Sequence, residues 1–225
     1  MKFEDVVKNR QSVRGYKTKP VARELIEEII NLARRAPSSM NTQPWHVHVV
    51  TGEALDEVRT RNMEEMLAGA EPKRDINSHE EYEGVHRFRQ IAIAKKLFAA
   101  MGIAREDKEK RQDWVMRGFR QFDAPVSIVM CLDKILLEDT IGHFDLGAMT
   151  YGLTLAAWSK GLGCVINGQG IMQYPVVREH AGIPDYQVIM TCVAMGWPDE
   201  DFEANSVVSR RRPVDNVTRF VGFDD

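Results

Sequence analysis

Residues 125–132, Pro-Val-Ser-Ile-Val-Met-Cys-Leu, constrain the fold of this chain more than any other segment. They make a nearly continuous apolar run of strand length, without the alternation of a half-exposed strand. Such a strand has no face to offer to water, so it belongs inside a sheet that is covered on both sides. Further strand candidates are 46–50, 164–166 and 187–194. Between them lie helical patterns at 53–67, 85–101, 106–122 and 141–160, with a short helix at 174–181 that starts at a proline. The clearest helix is 141–160, where Leu146, Met149, Leu153, Ala156 and Ala157 form one stripe and Gly147 and Gly152 permit close approach. Gly161-Leu-Gly163 ends it, as glycine does at helix C-termini. Strands separated by helices predict an α+β sandwich around a central sheet.

The 225 residues show no internal repeat, low-complexity tract or linker, so one domain over 1–225 is expected, with a variable helical excursion at 69–122 and an extended C-terminal arm at 198–225. Hydrophobic content of 44% and charged content of 28% fit a globular chain. A net charge of −3 argues against a general nucleic-acid surface, and the basic clusters Lys95-Lys96 and Arg210-Arg211-Arg212 are local. No apolar run approaches the roughly 20 residues that span a bilayer, so no membrane partner is expected. The N-terminus carries Glu4 and Asp5 and no apolar segment of the secretory type. Cys131, Cys164 and Cys192 each sit in an apolar, strand-like context without Cys-x-x-Cys spacing, which points to a reducing, cytoplasmic compartment.

Two segments carry chemistry. Arg10 and Arg14 stand four residues apart with Ser12 between them, a pattern that can hold a phosphate dianion through paired, charge-assisted hydrogen bonds. Downstream, Pro37, Ser38, Ser39, Asn41 and Gln43 belong to a polar, Pro-bounded loop suited to the edge of a flat heteroaromatic ring. A helix is expected to join them, opening at Pro20, with Val21, Leu25, Ile29, Leu32 and Ala36 as its apolar stripe and Pro37 as its stop. Asn167-Gly168 follows a strand directly, where glycine lets a backbone approach a ligand. Arg211, taken alone, belongs to a solvated charge run, and becomes a third phosphate partner only beside Arg10 and Arg14. Residues 69–84 read as a mobile polar excursion, and Tyr82, Arg87 and Arg89 as mainly solvated surface with a lesser prospect of lining a pocket. His46 and His48 share a strand face, but no third ligand has sensible spacing, so no metal site is expected. Gly161-x-Gly163 is no dinucleotide fingerprint, since Ile166 stands where the third glycine belongs and the helix precedes the strand.

Arg10-x-Ser12-x-Arg14-x-Tyr16, residues 37–45, Phe122-Asp-Ala-Pro125, Gly161-Leu-Gly163 and Arg211-x-Pro213 together make the chain resemble the FMN-dependent nitroreductase family over nearly its whole length. The resemblance implies a nitroreductase-type sandwich with a mainly antiparallel central sheet flanked by helices, a domain-swapped C-terminal arm, and a homodimer with FMN at the subunit interface. It implies that Arg10, Ser12, Arg14 and Arg211 hold the phosphate and ribityl chain. Pro37, Ser38, Ser39, Asn41 and Gln43 match the segment beside the ring, partly from the partner subunit. Asn167 and Gly168 match the loop whose backbone N–H groups face flavin N5 and O4, although a Glu often stands at the position of Asn167. Some relatives carry a middle-region Lys or Arg at the flavin N1/O2 edge, a position that this sequence does not mark. The implied activity is NAD(P)H-dependent reduction of a small aromatic acceptor, nitroaromatic or quinone-like, by ping-pong hydride transfer. The flavin would carry the redox chemistry and no side chain would be catalytic. Reductive dehalogenation, another flavin reaction on the same fold, and flavin binding without turnover stay open as alternatives.

Overall fold

The computed structural model describes residues 1–76 and 81–223. The centre of the polar excursion, 77–80, and the end of the arm, 224–225, lie outside the described residues. Seven helices are described: α1 (Phe3–Asn9), α2 (Arg23–Ala33), α3 (Gly52–Leu67), α4 (Gly84–Ala100), α5 (Lys108–Phe119), α6 (Thr140–Ser159) and α7 (Tyr174–His180). Four strands, β1 (Trp45–Thr51), β2 (Val126–Asp133), β3 (Gly163–Asn167) and β4 (Gln187–Gly196), form one sheet in the order β1-β2-β4-β3. Every strand pair in it is antiparallel.

The apolar run at 125–132 is β2, a central strand whose residues are buried up to Leu132. Its side chains split by parity, as the two-residue strand period requires. Ile128, Met130 and Leu132 join Ile26, Ile29 and Ala33 of α2 and Leu146, Met149 and Leu153 of α6. Val129 and Cys131 face the other way, against Leu55 and Val58 of α3 and Val177 of α7. The sheet is therefore the middle layer of an α+β sandwich, and each fully buried Leu or Ile in it contributes about 1.5–3 kcal/mol. Tight helix contact at Gly152 supports the α2–α6 pair, since a Cβ there would stand 3.4 Å from the Ala33 carbonyl oxygen.

Two local expectations are corrected. The joining helix starts at Arg23 and ends at Ala33, because Ala22 is extended and the turn at 34–36 closes by Arg35 N–H to Leu32 O and Ala36 N–H to Ala33 O bonds. Its buried stripe is Ile26, Ile29 and Ala33, while Leu32 is 52% exposed. On a helix, Ile26/Ala33 and Leu25/Leu32 lie about 40–60° to either side of Ile29, so periodicity alone leaves the choice open. Docking on α6 buries the first pair fully, keeps Val21, Leu25 and Ala36 partly buried against the same core as expected, and leaves Leu32 outside it.

The second correction concerns the excursion, whose described residues 71–75 are anchored. Lys73 bridges to Gln173, with Lys73 N–H donating to Met172 O and Tyr174 N–H to Lys73 O. Asp75 pairs with Arg178 and accepts from Ile189 N–H. Polar composition suggested a mobile loop; an ion pair whose side chains are each only 17% exposed ties it down instead.

Candidate functional site

The site begins where the N-terminal segment docks on the free edge of β3. Ser12 bridges Cys164 in parallel, and Val13 N–H donates to Cys164 O at 3.0 Å. Val13 is fully buried, so its neighbours Ser12 and Arg14 face away from that contact by the strand period. The result is a cavity of about 380 Å³ lined by Arg10, Ser12, Arg14, Tyr151 and Arg211, together with Lys8, Gln11 and residues 207–209. Four cations and no carboxylate line it among the described residues, in a chain of net charge −3.

The structure thus brings together Arg10, Ser12, Arg14 and Arg211. Arg10 Nε is buried without a hydrogen-bond partner, and its guanidinium carbon lies 5.8 Å from the Tyr151 ring centroid. Arg14 spends one N–H on Ser12 O at 3.4 Å. Burial lowers the Arg14 guanidinium from its ordinary value, opposed by the nearby Tyr16 phenol. Arg211 is held toward the cavity by bonds to Ser209 O and Oγ at 3.1 and 2.7 Å. An orphaned buried donor among clustered cations is what a phosphate group would satisfy.

The ring-edge loop lies elsewhere on the same chain. Pro37, Ser39, Asn41 and Gln43 are exposed, and none of them lines the arginine cavity. The loop is nevertheless built: Met40, Asn41 and Gln43 hold φ of 48°, 61° and 48°, a region that non-glycine residues rarely occupy. Ser38 Oγ accepts from Gln43 N–H at 3.0 Å, and Gln43 Nε2 donates to Asn41 O at 3.2 Å. Asp145 of α6, 3% exposed, accepts from Ser39 N–H at 2.9 Å and ties the loop to the core.

Asn167 ends β3 with its side chain turned inward. Its Nδ2 donates to Gly118 O at 2.7 Å, its Oδ1 accepts from Gln169 N–H at 3.1 Å and its carbonyl accepts from Cys192 Sγ at 3.0 Å. Its side chain is thus spent on the scaffold, and backbone N–H groups are what the turn could offer a ligand. Beside it stands a residue that the sequence did not mark. Arg74 Nη1 lies 3.5 Å from the point where a Cβ on Gly168 would stand. Nothing local flags Arg74, because the Lys73–Gln173 bridge and the Asp75–Arg178 pair that place it span about a hundred residues.

The remaining motifs serve the scaffold. His46 Nε2 pairs with Asp133 at 2.8 Å and His48 Nε2 with Gln187 at 2.6 Å. At Phe122-Asp-Ala-Pro125, residues 121–123 all have φ of 55–57°, and Arg120 and Arg117 pair with Asp123 at 3.1 and 3.5 Å. Two larger open clefts flank α4. One, about 630 Å³, includes Arg87. The other, about 890 Å³, includes Tyr82 and Arg89 and shares Ile93, Ser209 and Arg211 with the arginine cavity.

Residues 7–197 match the model of the nitroreductase family, and the chain belongs to that family. It is 31% identical over 221 residues to the chloronitrobenzene nitroreductase of Comamonas testosteroni, covering 97% of this chain and 96% of that one. It is 32% identical to the nitrobenzene nitroreductase of Ectopseudomonas oleovorans, again over 97% and 96%. Among solved structures, the FMN and NADPH-dependent nitroreductase NfnB of Sphigopyxis sp. strain HMH superposes with a TM-score of 0.93 at 28% identity, over 99% of this chain and 100% of that one. The FMN-dependent NfnB of Mycobacterium smegmatis, solved with NADPH, has a TM-score of 0.89 at 26% identity, over 97% of each chain. No described helix is long and apolar enough to cross a membrane.

Proposed function

We propose that the protein is an FMN-dependent oxidoreductase that uses NAD(P)H to reduce nitroaromatic or quinone-like acceptors. The observation that carries this reading is the arginine cavity, with its buried, unpartnered Arg10 Nε. Arg10, Ser12, Arg14 and Arg211 would hold the phosphate. The Asn167-Gly168 backbone would orient the ring, and Arg74 would supply positive charge at its N1/O2 edge. Bound FMN supplies the hydride-accepting and hydride-donating chemistry. The chain itself binds, orients and excludes water, and the motifs offer no side chain as a general acid.

We place Pro37, Ser38, Ser39, Asn41 and Gln43 at the ring of a partner subunit, in a homodimer whose C-terminal arms exchange. Support comes from what one chain leaves uncovered: Ile141, Phe144 and Tyr151 on α6, 53%, 78% and 45% exposed, and Phe220 and Phe223 in the arm, 65% and 75% exposed. Large apolar side chains left exposed on one helix and on the arm are what an interface would cover. Three buried, unpaired thiols fit the cytoplasm.

The test is flavin content and turnover of the purified protein. The expected result is about one FMN per chain, NAD(P)H oxidation that depends on a nitrobenzene-type acceptor, and parallel double-reciprocal lines. Protein that neither carries nor takes up FMN overturns the reading. Intersecting lines overturn its ping-pong element, and a micromolar monomer that retains FMN overturns the dimer.

A further inference from the structure

We infer that Asn205 is the positioning residue that fixes the geometry of the arginine cavity, coupling the C-terminal segment to phosphate recognition. The inference rests on the FMN reading above, and it starts from the backbone of Arg14 and Gly15. All four of their backbone polar atoms are taken by distant parts of the chain. Arg14 N–H and Gly15 N–H both donate to Asn205 Oδ1, at 2.7 and 3.2 Å. The Gly15 carbonyl accepts from Asn205 Nδ2 at 2.9 Å and from Asp199 N–H at 3.1 Å. The Arg14 carbonyl accepts from Arg117 Nη2 at 3.2 Å.

Asn205 is only 7% exposed and its amide is saturated, with Nδ2 also donating to Asp199 O at 2.8 Å. Its own carbonyl accepts from Gln11 Nε2 at 2.8 Å. One side chain therefore links residues 14, 15 and 199, and the same residue's carbonyl adds Gln11, at the point where the chain turns to send residues 207–211 along the cavity wall. Packing closes the clamp. The Phe202 ring fills the space where Gly15 would carry a Cβ, and Arg117 stacks on that ring at 4.7 Å.

The Arg14 backbone is thus fixed, while most of its guanidinium donors stay uncommitted on the cavity side. That division is preorganisation: the entropy of placing the charge is met by the fold before a ligand arrives. No other residue type reproduces it. Two N–H groups need one acceptor oxygen while two carbonyls need donors from the same planar group, which only an amide provides, and Gln would place it one methylene too far.

Titration with FMN and with riboflavin, which shares the ring and ribityl chain but lacks the phosphate, tests this. In Asn205→Ala the expected loss is roughly tenfold to a hundredfold in FMN affinity, the size of one charge-assisted interaction, with riboflavin affinity changed by less than about threefold. Equal losses for both flavins would mean a general structural role and overturn the inference, as would no loss. If Asn205→Ala does not fold, Asn205→Gln keeps the amide but displaces it by one methylene, and the same ratio decides. Wild-type protein that binds neither flavin would instead defeat the FMN reading itself.

Discussion

Val13 Cγ2 lies 2.5 Å from the point where a Cβ on Gly163 would stand. The edge of β3 therefore accepts the N-terminal segment only because residue 163 has no side chain. Pro198 Cγ closes the same point at 3.0 Å, so neither neighbour has room to yield. Gly163→Ala should cost about 1–3 kcal/mol of stability through overpacking. Because Ser12 and Arg14 flank Val13, FMN affinity should fall with it. Urea melts and flavin titration check both, and unchanged flavin affinity would break the link between this contact and the site.

Arg10 makes a prediction with opposed signs. Its buried Nε has no partner, so without a ligand the side chain is a desolvation cost. Arg10→Met keeps the apolar stem packing and removes the charge. The apoprotein should be at least as stable as wild type, while FMN affinity drops roughly tenfold to a hundredfold. Thermal melts with and without FMN measure the two effects. A less stable apoprotein would make Arg10 structural. Arg211→Ala should weaken FMN less, and no change there would return the tail triplet to surface charge.

How much of this was legible in the sequence follows from the range of each interaction. The unbroken apolar run in β2 and the stripe of α6 (Leu146, Met149, Leu153) are local patterns, and both appear as read. The arginine cluster was legible because Arg10, Ser12 and Arg14 lie within five residues and the family resemblance points to Arg211. The facing of α2 was not, because Leu32 and Ala33 are equivalent by period until α6 docks. Arg74 was invisible, since its place depends on residues near 173 and 178. Asn167 gave its position, but not that its amide is spent on Gly118 O and Gln169 N–H.

Asp145 anchors the strained loop, and its role separates geometry from charge. Its bond to Ser39 N–H holds a segment with three positive-φ residues, each of which would relax if released. Asp145→Ala should lower kcat/KM for acceptor reduction about tenfold, since a loss near 1.4 kcal/mol matches one buried hydrogen bond. Asp145→Asn keeps an acceptor oxygen and should retain most activity. If Asn and Ala are equally impaired, the carboxylate charge rather than loop anchoring is what matters.

The buried thiols make stability fall at alkaline pH. Burial pushes Cys131 and Cys192 up to about 12 from the ordinary 9.0, and raises Cys164 as well. For Cys131 Arg178 opposes the rise and Asp75 adds to it. With folded pKa values above unfolded ones, the folded chain holds protons that the unfolded chain releases. Their contribution is therefore complete below pH 9 and is lost as pH climbs from 9 through about 12, at up to about 1.4 kcal/mol per pH unit for each thiol. At pH 8 the native protein should show no fast reaction with a disulfide reagent, and urea should unmask all 3 cysteines. Between pH 9 and 11 the urea midpoint should fall, and Cys192→Ala should fall less steeply than wild type. Tyr16, also raised by burial, adds the same sign to both proteins, so the difference between the two slopes isolates Cys192. Identical slopes would mean that Cys192 does not titrate differently on unfolding.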